Sequence, residues 1–281
     1  MIRWFNILRG FLMGIVELIP GISSGTLALL LGIYDELLIS IQKLFSKDFK
    51  KAAGFVFPLI IGMAIAILSM SSVINYFLVN HTIIVHWFFL GLVFGVVPMM
   101  FKLGNYKYEF KAVHYILIVI TIVGMYFLST VNTGVQDVTE VDTSPGALLF
   151  LFISGFLGAT ALVLPGLSGS VILLILGTYP VVIYSISEFT SFNFEVLPVL
   201  FATGFGIVFG VIFASKFIHY LLTHFTYLTY AFIIGLLLGS SFPIFHGMPI
   251  NTVQWILSVL LFLFGLFLSY YVSTKNNKET I

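Results

Sequence analysis

The sequence predicts an all-α, polytopic membrane protein made of two inverted repeats, each with one re-entrant helical hairpin and three transmembrane helices. Three observations carry that expectation. Of 281 residues, 60% are hydrophobic and only 8% charged, against roughly 25% charged in soluble domains. A Pro-Gly-x-Ser motif occurs at Pro20 and again at Pro165. Lysines and arginines gather in loops that a single threading of the bilayer places on one side.

Lipid offers the backbone no hydrogen bonds, so apolar runs this long must close their bonds internally as helices, and they lack the period-two alternation of barrel strands. The net charge of +1 gives no sign of a nucleic-acid partner. Zero cysteines exclude disulfides, thiol catalysis and cysteine metal sites.

The chain begins like a secretory signal, with Arg3 and Arg9 ahead of an apolar stretch that ends near Ser23 and Ser24. Glu17 and Pro20 interrupt that stretch and the pattern returns in mid-chain, so it reads instead as the first hairpin, at about 10–36. Its arm from Gly10 to Ile19 is roughly 15 Å of helix, half a bilayer. Pro20 and Gly21 break it, and a second short arm runs from Gly25 to Tyr34, before Asp35 and Glu36. Six segments are long enough to cross: about 52–79, 84–101, 112–130, 196–221, 227–242 and 252–272. The first repeat is thus 1–130, an extracytoplasmic linker 131–145, the second repeat 146–273 with its hairpin at about 150–182, and a tail 274–281. The arm before Pro165 has an alternative start at Gly146, long enough to span, and charge counting does not separate the two readings.

Arg3 and Arg9 precede the first hairpin, Lys43, Lys47, Lys50 and Lys51 follow it, and Lys102, Lys107 and Lys111 come two crossings later. All are cytoplasmic by the positive-inside rule. The stretch 131–145 has Asp137, Glu140 and Asp142 without a basic residue, and 188–195 has only Glu188 and Glu195; both are expected outside. Lys216 and His219 then fall near the inner face, with Lys275 and Lys278 inside, so both termini are cytoplasmic. An odd number of crossings per half inverts the second half relative to the first.

The halves are also matched by sequence. Pro20-Gly21-Ile22-Ser23-Ser24-Gly25 aligns with Pro165-Gly166-Leu167-Ser168-Gly169-Ser170 at an offset of 145, and Gly62, Tyr76, Gly91 and Gly95 align with Gly206, Tyr220, Gly235 and Gly239 at an offset of 144. Ordered matches of Pro, Gly, Ser and Tyr mark a duplication.

Each motif breaks a helix where no solvent satisfies the freed backbone, an arrangement tolerated only inside protein or beside a polar cavity or ligand. The helix restarts with unpaired N–H groups and the positive end of its dipole, which favours an anion. Ser23, Ser24 and Thr26 in one tip, and Ser168 and Ser170 in the other, are candidate donors, while Gly25 and Gly169 allow close approach. The alternative is that small residues simply let helices pack closely. Glu17, about three residues before the first Pro-Gly, is a candidate to take up a coupling proton or sodium ion, to pair with Arg9, or to bond the hairpin backbone. Leu162 stands at its equivalent position. Arg9 suits phosphate by its planar fork and is otherwise a topology marker. Lys216 and His219 are a possible headgroup access point or a snorkelling pair. His81, His86, His114, His224 and His246 show no ligand spacing and are expected at the interfaces. No catalytic group, metal or cofactor beyond the coupling ion is expected.

The run Met13-Gly14-x-x-Glu17-x-x-Pro20-Gly21-Ile22-Ser23-Ser24-Gly25-Thr26 with Gly32-Ile33-Tyr34, and Pro165-Gly166-Leu167-Ser168-Gly169-Ser170 with Gly177-x-Tyr179, resembles the bacterial polyprenyl-phosphate transporter family. The resemblance covers nearly the whole chain. It implies inward movement of undecaprenyl phosphate, the lipid carrier left on the outer leaflet of the cytoplasmic membrane after wall polymers are assembled. Family members often have Asp at the position of Glu17 and Gly at that of Ser24. Two other functions remain open on the residues alone: a transporter or channel for a small soluble anion, and a membrane lipid phosphatase.

Overall fold

A computed structural model describes residues 3–18, 23–44, 46–131 and 141–276. Helices α1 (Phe5–Glu17), α2 (Ser24–Leu30), α3 (Tyr34–Lys43), α4 (Phe49–Asn80), α5 (Thr82–Leu103), α6 (Tyr106–Glu109) and α7 (Ala112–Thr130) form the first half. The second half repeats the order with α8 (Pro145–Val163), α9 (Gly169–Ile175), α10 (Tyr179–Thr190), α11 (Leu197–His224), α12 (Thr226–Gly239), α13 (Ser241–Ile244) and α14 (Thr252–Asn276). Pro20 and Gly21, most of the 131–145 linker and the tail beyond 276 lie outside the described residues.

Seven segments of the described chain are long and apolar enough to span a bilayer, which makes this a multi-pass membrane protein. The sequence predicts six; the seventh is α8. Ser144 caps it, its hydroxyl accepting from the Ala147 amide at 3.4 Å, Pro145 occupies the first turn, where its missing N–H costs nothing, and no break intervenes until Leu164. Helix α1, with 13 residues, stays short. The expected interruptions are present: α1 stops at Glu17 before α2 starts at Ser24, and α8 stops at Val163 before α9 starts at Gly169. A second break follows each short helix. The α2–α3 and α9–α10 pairs bend by 118° and 108°, as re-entrant segments would.

Those bends share one device. Gly32 and Gly177, aligned at the offset of 145, have φ of +66° and +71°. Their amides bond to the carbonyls of Leu29 and Leu174 at 3.0 and 2.9 Å, and the next amides, of Ile33 and Thr178, to Ala28 and Leu173. This is the Schellman stop, which needs a left-handed residue that glycine adopts without strain.

The duplication extends to packing. Helix α1 lies on α4 and α8 on α11; α5 lies on α14 and α12 on α7, so exchanging the halves maps each contact onto another. The α1–α4 crossing is so close that a Cβ at Gly10 would overlap the Leu59 carbonyl, and one at Gly62 the Ile7 carbonyl. At the α8–α11 crossing, the equivalents Gly155 and Gly206 meet the carbonyls of Thr203 and Phe152. One turn along, the glycine changes sides: Gly14 faces Ala66 in the first half, and Gly210 faces Ala159 in the second.

The two short helices differ in burial. Helix α2 is seated in the core, where Ala28, Val96, Met100, Ile234 and Leu237 are all fully buried. Within α9 only Gly169 is. Helix α3 crosses to the other half and packs on α11, with Gln42 Nε2 donating to Ser215 O at 3.0 Å. Helix α10 packs on α9 and α11 of its own half.

Candidate functional site

The two interruptions meet. Helix α8 ends just before Pro165, which has no N–H, and the amide of Gly166 turns away, so the carbonyls of Leu162 and Val163 need donors from elsewhere. The other half supplies them. Ser23 Oγ lies 3.4 Å from Leu162 O and 3.3 Å from Leu164 O, and Tyr34 OH donates to Val163 O at 3.0 Å. In return the Gly166 amide donates to Thr26 Oγ1 at 3.0 Å. Gly166 has φ of +88°, and a Cβ there would press on the backbone of Leu236 in α12, so the turn requires glycine.

Ser23 also caps α2. Its backbone is extended and its hydroxyl accepts from the Gly25 amide at 3.1 Å, the usual reason for serine at a helix start. Ser168 has the same backbone conformation at the start of α9, yet its hydroxyl contacts Ser170 Oγ at 2.8 Å instead. Gly25 sits against the carbonyls of Leu162 and Val163, and Gly169 against that of Gly158. Both glycines therefore permit helix contact. The Glu17 carboxylate, at the end of α1, reaches the hydroxyl and amide of Ser24. Its Oε2 is buried and has no partner among the described residues.

Arg9 is not brought to this junction. It lies eight residues before Glu17, roughly 12 Å along the axis, with its guanidinium donating to Asn6 Oδ1 at 3.0 Å and stacked over Phe5. Among the described residues the Arg9–Glu17 pair is not formed. Arg3 takes Glu36 instead, at 2.6 Å. Asn6, which the sequence reading passed over, is fully buried and anchors the arrangement through Phe55 O at 3.1 Å; an amide inside an apolar run was its signal. Tyr34 was likewise passed over as a site residue, although Gly-x-Tyr recurs with both motifs. Lys216 is exposed while His219 faces Asp35. His86 and His114 are buried in packing, and the His86 ring lies 3.8 Å from that of His246, tilted by 31°. No cluster of three or more metal-ligating side chains occurs among the described residues.

Two spaces adjoin the junction. A cavity of about 360 Å3 is lined by Leu29, Gly32, Tyr34, Asp35, Lys102 and Tyr230 among others. An apolar groove of about 380 Å3 starts at Met13, Ser24 and Gly25 and runs out between α3, α4 and α11. On the far side of the second tip, the space beside Gly166, Ser168 and Ser129 is only about 20 Å3.

Residues 13–259 match the family described as undecaprenyl phosphate translocase-like. The chain is 42% identical over 268 residues to the polyprenyl-phosphate transporter of Staphylococcus aureus (strain NCTC 8325 / PS 47), covering 95% of each. It is 31% identical over 246 residues to that of Vibrio cholerae serotype O1, covering 83% of this chain and 74% of the relative. No solved structure gives a significant match. A family match over most of the chain, and the end-to-end identity with the staphylococcal transporter, establish that this chain belongs to the undecaprenyl phosphate translocase-like family.

Proposed function

We propose that the protein carries undecaprenyl phosphate from the outer to the inner leaflet of the bacterial cytoplasmic membrane for reuse of the carrier lipid. The phosphate is held where the two interrupted segments meet, and access alternates as one inverted repeat moves against the other. The observation that carries this reading is the junction itself. Ser23, Tyr34 and Gly166 bring donors together there, between helices that are otherwise apolar.

A phosphate monoester carries about −1.5 to −2 charges at neutral pH and cannot enter hydrocarbon unaided. Parting the two halves frees the hydroxyl protons of Ser23 and Tyr34 and the Gly166 amide, and phosphate oxygens take them over. The hydroxyl of Ser24 adds a further donor. Helix α9 offers Ser168, Gly169 and Ser170 from the other side, and Arg9 attracts the headgroup at the approach. When the junction is closed the Ser23 and Tyr34 hydroxyls satisfy backbone carbonyls and the Gly166 amide satisfies the Thr26 hydroxyl; when it is open substrate takes their place, so neither state leaves the donors orphaned.

Glu17 supplies coupling. A phosphate beside its carboxylate brings two like charges into a low-dielectric region, and a proton or sodium ion on Glu17 offsets that cost. The ion then travels with the lipid and reduces the charge moved against the membrane potential, which is worth about 2.3 kcal/mol per charge per 100 mV.

Mass spectrometry of lipids retained by the gently purified protein tests the substrate. A phospho-isoprenoid is expected; common phospholipids alone would overturn the assignment, and release of phosphate from it by the pure protein would favour a phosphatase. Competition by inorganic phosphate as strong as by a short polyprenyl phosphate would favour a soluble-anion carrier. Glu17→Gln is expected to abolish the pH or sodium dependence of transport in proteoliposomes; unchanged dependence removes Glu17 from coupling.

A further inference from the structure

The apolar groove begins at the phosphate junction and ends on the outer surface of the helix bundle. Its inner end is formed by Ser24 and Gly25, and its mouth lies between Ile60 on α4 and Val208 on α11, which are 55% and 47% exposed. We propose that this groove seats the phosphate-proximal isoprene units of the transported lipid, and so selects a single methyl-branched chain. The inference rests on the reading of the protein as a polyprenyl-phosphate transporter.

Continuity is the first argument. A chain leaving a phosphate at the junction passes along the groove to the bilayer without meeting a charged side chain among the described residues, because none of those that line it is charged. Lining chemistry is the second. Leu59 and Ile60 on one wall and Val208, Val211 and Ile212 on the other present branched side chains, whose methyl groups suit a methyl-branched ligand. Leu162 lines the groove at the position where the first repeat has Glu17. An acid there would put a carboxylate against the chain, which accounts for the coupling acid being in one repeat only.

Size narrows the occupant further. A volume of about 380 Å3 is near the lower end of roughly 300–1,000 Å3 for small-ligand sites, room for part of one chain and not for the glycerol and two acyl chains of a phospholipid. Tyr34 divides the space. It lines both the groove and the cavity that contains Asp35 and Lys102, so the ring separates an apolar channel for the tail from a space that holds charged side chains.

The test is photolabelling of the protein in nanodiscs with farnesyl phosphate that carries a diazirine on its last isoprene unit, the one nearest the mouth, followed by peptide mapping. Labelling is expected on α4 and α11 near Ile60 and Val208, displaced by undecaprenyl phosphate and at least tenfold less by phosphatidic acid. Ile60→Trp and Val208→Trp, which fill the mouth, are expected to lower labelling about tenfold while leaving thermal stability in detergent near that of the wild type. Displaceable labelling elsewhere would overturn the groove assignment and leave the transport function standing. Equal displacement by phosphatidic acid would overturn the single-chain selection. No displaceable labelling anywhere would contradict the transport reading, and the groove with it.

Discussion

The hydroxyl of Thr26 accepts a hydrogen bond from the amide of Gly166 at 3.0 Å, although the two residues are 140 positions apart and belong to different halves. Both are buried in the protein. A backbone N–H that loses its acceptor in such a place costs about 1–3 kcal/mol.

Thr26→Val keeps the shape of the side chain and removes the acceptor. It is expected to destabilise the protein by about 1–3 kcal/mol, while Thr26→Ser stays close to the wild type. Thermal unfolding in detergent measures both; equal stability of Thr26→Val and Thr26→Ser would mean that the bond contributes nothing.

Gly166 and Gly177 separate two effects of glycine. Both have positive φ, but a Cβ at Gly166 meets the backbone of α12, whereas at Gly177 nothing lies within 4 Å. Gly177→Ala is expected to cost about 1–2 kcal/mol for the left-handed backbone alone. Gly166→Ala carries that cost and a steric one, and is expected to lower expression and folded yield well below those of Gly177→Ala.

The helix crossings predict a compensation. Gly14 faces Ala66 in the first half, and the second half has the same contact with the partners exchanged, Ala159 against Gly210. Gly14→Ala alone is expected to destabilise by about 1–3 kcal/mol through overpacking, and adding Ala66→Gly to recover part of it. A double-mutant cycle reads the coupling directly; additive losses would show that the two crossings are not equivalent.

Much of this was legible beforehand, and the reasons differ by feature. Local chemistry announced the breaks, since Pro165 and the glycines around it end a helix readily, and Gly62 and Gly206, matched between the halves in sequence, sit where two backbones touch. The length of α8 was not legible. Nothing in its apolar run marks a start except Ser144 and Pro145, and the loop charges are satisfied by a span or by a hairpin arm. The junction was half legible. Hydroxyls at the tips were expected, but not that Ser23 and Thr26 would satisfy the opposite half's backbone, because contacts across some 140 residues leave no periodicity in the sequence. Arg9 shows the limit of arguing from residue type: an arginine near a tip in sequence is two helical turns away in space, held by an asparagine that only the packing reveals.

The proposed alternation between the halves makes a cross-linking prediction in a chain that contains no native cysteine. Helix α3 now reaches across to α11 through Gln42 and Ser215. Their repeat equivalents, Ser187 and Ser71, belong to α10 and α4. A Gln42→Cys/Ser215→Cys pair is expected to cross-link in the resting protein and to block transport. A Ser187→Cys/Ser71→Cys pair is expected to cross-link in proteoliposomes during turnover, when α10 takes the place on α4 that α3 holds on α11. Cross-linking of the first pair with full transport would exclude this motion.

The most direct measurement is translocation of a polyprenyl phosphate in proteoliposomes, followed by how much of it an external phosphatase can reach over time. Wild-type protein is expected to make the inner-leaflet pool accessible. Loss of the Ser23 and Tyr34 hydroxyls, in Ser23→Ala/Tyr34→Phe, is expected to slow this by about ten- to a hundredfold per bond to a charged group, in protein that remains folded. Translocation at the wild-type rate by that variant, or none by the wild type, would contradict the account.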